Sequence, residues 1–235
     1  MSGDERREVL RRGLRAWLED QEAFGIEDVP VPRASEPAGG GAAVEDAAAA
    51  LAAIAEEVAS CTRCGLHATR TKAVPGQGNP AAEILFVGEA PGADEDRSGL
   101  AFVGRAGQLL TKMIKAMGFE REEVFIANVL KCRPPGNRDP RPEEAAACLP
   151  FLKRQIRLIR PGVIVALGAH AARNLLGTSE SVGRMRGREH VYEGIPLVVT
   201  YHPSYLLRSP GEKRKAWDDL KRALRVIGRE PPPPR

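Results

Sequence analysis

Four short apolar runs limit the folds open to this chain more than any other feature. They read EILFVG (83–88), VFIANVL (124–130), GVIVALG (162–168) and IPLVVTY (195–201). Each is rich in β-branched or aromatic residues, and none alternates apolar with polar. A strand with one wet face alternates, so these are expected to be strands covered on both faces. Segments with helical character separate or follow them, at 106–118, 142–159, 170–177 and 211–228. Pro142 suits a first helical turn, where its missing N–H costs nothing, and Gly118, Gly177 and Gly228 suit helix ends. The alternation predicts an α/β fold, a parallel sheet with helices on both faces. Ligands of such sheets bind at the carboxyl ends of the strands.

The chain before residue 60 is different. Val9, Leu10, Leu14, Trp17 and Leu18 recur at helical spacing within 8–25, which places a helical segment in residues 1–28. Prolines and glycines then crowd 29–43, a linker, and an alanine-rich helix is expected over 44–59. The folded domain is expected to run over 44–228, with REPPPPR (229–235) as a disordered tail. Residues 1–60 hold 6 basic and 13 acidic side chains, and the remaining 175 carry a net charge of +11. A basic body behind an acidic leader suits a polyanionic partner. The hydrophobic content of 43% and charged content of 28% exclude full-length disorder. No apolar run approaches the ~20 residues of a membrane span. The charged start, MSGDERREVL, argues against a secretory leader and for the cytoplasm.

The cysteines are Cys61, Cys64, Cys132 and Cys148, a C-x2-C pair followed much later by C-x15-C. Four thiolates drawn from these places suit one tetrahedral site, and the spacing leaves zinc and an iron–sulfur cluster both open. Two buried free cysteines beside a redox pair is a third arrangement. Among the strand-end loops, GEAPGADED (88–96) makes a tight turn with backbone amides exposed and four carboxylates: Glu89, Asp94, Glu95 and Asp96. Phe102 stands outside any expected strand or helix, as a core plug or as a plate on which a base stacks. Asn128 interrupts an apolar strand, and a buried amide must find partners; it reads the edge of a base well. His202 ends the fourth strand, and YLLR (205–208) beyond it has the composition of a wedge that enters a duplex. GRMRGR (183–188) fits phosphate contact through Arg184 and Arg186. His67, His170 and His190 read as structural or surface residues.

Together the segments CTRCGLHATR, VGEAPGADED, GLAFVGRAGQLL, NVLKCRPPGNR, EEAAACLPFL and HPSYLLR resemble the family 4, iron–sulfur, branch of the uracil-DNA glycosylases. The resemblance covers about residues 58–226. It implies a three-layer α/β/α sandwich with a four-stranded parallel sheet. It implies hydrolysis of the N-glycosidic bond of uracil in single- and double-stranded DNA. The chain is expected to be a monomer. It further implies a 4Fe–4S cluster on Cys61, Cys64, Cys132 and Cys148. Uracil would be held by Gly88, Glu89, Ala90, Phe102, Asn128 and His202, with Glu89 and His202 catalytic. Leu206, Leu207 and Arg208 would fill or brace the gap left in the duplex, and Ser204 of the same loop and Arg184 and Arg186 of GRMRGR are expected to meet DNA beside them. A sister group that traps uracil-DNA covalently carries a glutamine in the first motif and a histidine in an inserted basic loop. Here the motif is GEAPG and RPPGNRDPRPEE follows Cys132 without histidine, which favours ordinary turnover. Residues 1–57 lie outside the resemblance and are left for a protein partner. The competing expectation is a DNA-binding module with an iron–sulfur or zinc site and no catalysis.

Overall fold

A computed structural model describes residues 42–233. The helix expected over 8–25 and nearly all of the 29–43 linker lie outside the described residues. The helices are α1 (Ala42–Ser60), α2 (Ala93–Ser98), α3 (Arg105–Ala116), α4 (Pro142–Ile159), α5 (Ala169–Leu176), α6 (Val182–Met185), α7 (Pro203–Arg208) and α8 (Lys213–Val226). The strands are β1 (Gln77–Gly78), β2 (Ile84–Gly88), β3 (Phe125–Asn128), β4 (Val163–Leu167), β5 (His190–Tyr192) and β6 (Ile195–Thr200).

The sheet runs in the order β1-β3-β2-β4-β6-β5. Its four inner strands are those expected, and neighbours among them are parallel. Two antiparallel edge strands extend this core on either side. Both are too short to carry a hydrophobic pattern. The β5–β6 hairpin turns on Glu193 and Gly194, both at positive φ, a conformation that glutamate rarely signals.

Side chains of the inner strands alternate between two cores, as the pleat requires. Leu85, Val87, Ile164, Ala166, Leu197 and Val199 face one side, with Ile54 and Val58 of α1, Phe151 and Leu152 of α4 and Ala172 of α5 in the same core. Ile84, Phe86, Val163, Val165 and Val198 face the other, with Leu110 and Ile114 of α3 and Leu220 and Leu224 of α8. The molecule is therefore a three-layer α/β/α sandwich. Among the described residues no helix is long and apolar enough to cross a membrane.

Arg229 follows the last helix. Arg229 pairs with Glu83 at 2.8 Å and lies 4.8 Å over the Phe119 ring. Its guanidinium has a carboxylate and an aromatic face beside it.

Candidate active site and cysteine pocket

The carboxyl ends of β2, β3, β4 and β6 open into one cleft of about 540 Å³, whose lining includes Glu89, Phe102, Asn128, His170 and His202. Parallel pairing sets Gly88 beside Asn128. A methyl group at residue 88 would stand 2.3 Å from Asn128 Oδ1 and 2.4 Å from Phe102 Cζ. Only glycine lets the Phe102 ring and the Asn128 amide come that close to the end of β2.

Phe102 has φ +53°, a left-handed conformation that costs a bulky residue about 1–2 kcal/mol. Its neighbours hold it there. The Ala101 N–H donates to Gln77 Oε1 at 2.8 Å. Glu95 Oε1 accepts from the amides of Val103 at 2.8 Å and Gly104 at 2.9 Å. Below it, a Cβ on Gly107 would stand 1.8 Å from the Phe102 carbonyl oxygen. The Phe102 and His202 rings then lie 5.7 Å apart, tilted by 36°. Gly107→Ala should therefore destabilise the fold by roughly 2 kcal/mol, as overpacking against backbone does. Thermal melts check this, with Gly183→Ala, where only Ser181 Oγ comes within 4.0 Å, as the neutral comparison.

Asn128 is 1% exposed, and its Oδ1 has no hydrogen-bond partner among the described residues. A buried orphan acceptor is costly, about 1–3 kcal/mol, and here it borders the cleft, where a ligand N–H would satisfy it. His202 caps the start of α7. Its Nδ1 accepts from the Ser204 N–H at 3.1 Å, so the proton of the neutral ring sits on Nε2. Burial brings its pKa down to about 4, Arg208 and His170 push the same way, and Glu95 opposes them. Near neutral pH the ring is an uncharged N–H donor.

The carboxylates of the first loop separate by what they hold. Glu95 takes the amides before α3 and that of Gly92. Asp94 pairs with Arg97, and buried Asp96 accepts from the Thr71 N–H at 2.9 Å. Glu89 alone of the four remains for chemistry in the cleft, and burial raises its pKa. Ala90 lines the same cleft.

Two cleft residues escaped the sequence reading. His170, read as structural or surface, puts Nε2 3.9 Å from Glu89 Oε2 and 3.7 Å from Asp139 Oδ2. Its place just past β4 was a usable signal, since strand-end residues were the ones expected to matter. Asp139 sits in the β3–α4 connection, where no periodicity points into the cleft.

Two expected DNA contacts need correction. Leu206 is 1% exposed and packs inward, because six residues of helix, not a loop, carry the HPSYLLR motif. The exposed apolar side chains of α7 are Tyr205 and Leu207, each at 37%. Arg186 is held by both oxygens of Asp219 at 3.0 Å and by the Tyr201 ring, so it braces α8. Arg184 and Arg208 are exposed, and Ser204 and Arg208 line the cleft.

A separate pocket between α1, the loop after β3 and α4 is lined by Cys61, Cys64, Cys132 and Cys148 together with Val58 and Phe151. Arg70 donates to Cys132 Sγ and the Lys131 N–H to Cys148 Sγ, each at 3.2 Å. Burial raises the Cys132 thiol and takes Cys148 to about 11. Uncoordinated, these two thiols stay protonated. Donors aimed at sulfur suit a bound thiolate, whose charge they share.

This sheet order, with a cleft at the strand ends and a four-cysteine pocket behind it, defines a class. The chain belongs to the uracil DNA glycosylase superfamily, whose family model matches residues 75–221. Within it the chain is similar to the type-4 uracil-DNA glycosylase of Sulfurisphaera tokodaii, 48% identical over 181 residues, 73% of this chain and 82% of that one. The type-4 enzyme of Thermotoga maritima is also 48% identical, over 75% of this chain and 94% of its own. That of Archaeoglobus fulgidus is 44% identical, over 76% and 94% respectively.

Proposed function

We propose that this protein is a base-excision repair enzyme that hydrolyses the N-glycosidic bond of uracil in single- and double-stranded DNA, releasing uracil and leaving an abasic site. The observation that carries this reading is the buried, unpartnered Oδ1 of Asn128 beside the Phe102 ring and a neutral His202. Flipping a base out of a duplex costs a few kcal/mol. Exposed Tyr205, Leu207 and Arg208 fill the gap it leaves, and exposed Arg184 meets a phosphate. Phe102 stacks on the pyrimidine. The Asn128 amide accepts from N3–H and donates to O4. As C1′–N1 breaks, the bonding pair leaves with uracil, and the Nε2–H of His202 donates to O2. One such donor contributes roughly 3 kcal/mol to a transition state. Glu89 faces the cationic sugar and takes a proton from the attacking water. The amides of Gly88 and Ala90 bound the base on the strand-end side.

We infer that Cys61, Cys64, Cys132 and Cys148 hold a 4Fe–4S cluster. The four sulfurs line one pocket, and the Arg70 and Lys131 donors that reach two of them suit thiolates bound to metal. Held by these four cysteines, the cluster would tie the end of α1, the loop after β3 and α4 together, a structural contribution. Cys148→Ser should abolish the visible absorption of anaerobically purified protein and lower its melting temperature by 10 °C or more, on the order of the effect of losing a structural metal. Unchanged colour and melting would remove Cys148 from the ligand set.

We also read the enzyme as a cytoplasmic monomer with a protein partner for residues 1–57, a stretch whose Leu51 and Ile54 on α1 are already packed in the core. A uracil-release assay on single-stranded oligonucleotides tests the main proposal. Release of uracil but not thymine is expected. DNA binding with no base released would favour the non-catalytic module instead.

A further inference from the structure

Three elements send a charged or titratable side chain to one spot on the cleft wall. Glu89 follows β2, Asp139 lies before α4, and His170 is in the first turn of α5. Their functional atoms all lie within 4.8 Å of one another. The imidazole Nε2 stands 3.9 Å from Glu89 Oε2 and 3.7 Å from Asp139 Oδ2. Those gaps are too long for direct hydrogen bonds, yet short enough for strong charge coupling or a shared water. Side-chain exposure rises outward, from 29% at Glu89 and 32% at His170 to 81% at Asp139.

We propose that His170 is a positioning residue of the hydrolysis, whose imidazole orients the Glu89 carboxylate and keeps it charged against the opposing influence of Asp139. The proposal rests on the uracil-hydrolase reading above. Glu89 must be ionised to take the water proton as the C1′–O bond forms. Burial and Asp139 both work against ionisation, and His170 works for it. The other charged groups around the cleft have little to lend. Glu95 is spent on backbone amides, and Arg138 is held by both oxygens of Glu144 at 2.9 and 2.5 Å. His202 is neutral, and Arg208 lies out on α7, exposed to solvent. Only His170 among these groups reaches both carboxylates.

The experiment compares wild type, His170→Gln and Asp139→Asn by two readouts. One is the ¹³C carboxyl titration of Glu89, identified by its loss in Glu89→Gln. The other is the pH profile of single-turnover uracil release. His170→Gln should move the Glu89 titration and the acid limb of the profile upward together, by about half a pH unit or more. Asp139→Asn should move both downward. A merely structural histidine would lower the plateau and leave the limb in place. No movement, or movement in the same direction for both variants, overturns the proposal. Should wild type release no uracil at any pH, the proposed function fails, while the titrations still report whether the three groups are coupled.

Discussion

His202→Ala should slow uracil release by about 10²–10³-fold while leaving affinity for DNA within about two-fold. The asymmetry follows from where the ring is proposed to act. Ground-state uracil O2 is a weak acceptor, and negative charge builds there only as C1′–N1 breaks. A donor aimed at O2 is therefore felt mainly in the transition state. The ring can fill that role because it is neutral with its proton on Nε2. The Ser204 amide selects this tautomer by donating to Nδ1, and burial keeps the pKa at about 4. Activity should not fall between pH 8 and about pH 5 through this group. The same ring caps α7, so removing it should also cost on the order of 1 kcal/mol of stability. His202→Asn keeps a side-chain acceptor for capping and separates the two effects. Single-turnover rates and binding titrations on the same oligonucleotide decide the matter. Equal losses in rate and affinity would make His202 a binding residue.

The low pKa has a consequence for stability. An exposed imidazole titrates near 6.5, and in the folded protein this one titrates near 4. Between those values the unfolded chain binds a proton that the folded chain refuses. His202 therefore leaves stability intact above about pH 6.5. It erodes stability as pH falls from 6.5 towards 4 and has no further effect below that.

The four inner strands were legible in the sequence because burial on both faces leaves an uninterrupted apolar run, a local signal. The strand ends then placed Glu89, Asn128 and His202 in one region before any coordinates. What was not legible depended on partners distant in sequence. Arg186 reads as a free cation until Asp219 is brought to it. Leu206 and Leu207 are neighbours in sequence, and only the helical turn sends one inward and the other out. Glu95 and Glu89 look alike in GEAPGADED, and the Val103 and Gly104 amides that occupy Glu95 come from the next loop. His170 carries no motif of its own, and its meaning comes from two carboxylates on other elements.

Asn128→Asp should collapse the preference for uracil over cytosine by about 10³-fold or more, the scale at which buried hydrogen-bonding sites discriminate. Uracil presents a donor at N3 and an acceptor at O4, and the Asn128 amide matches both. Cytosine presents an acceptor at N3 and a donor at N4, so against the amide both contacts are repulsive. A carboxyl group changes this in a way that depends on its proton. An ionised carboxylate faces O4 of uracil with like charge, so uracil release falls. Facing cytosine, it accepts from N4–H but repels N3. The protonated acid donates to N3 and accepts from N4–H, which matches cytosine fully. A carboxyl at a position only 1% exposed is driven towards its neutral form by desolvation. Cytosine release by the variant should therefore appear, and should grow as pH is lowered from 8 to 6. Release of each base from matched single-stranded oligonucleotides, followed across that range, measures the ratio. Wild-type uracil rates with no cytosine released at any pH would show that residue 128 does not read the base, and the pocket would need another source of selectivity.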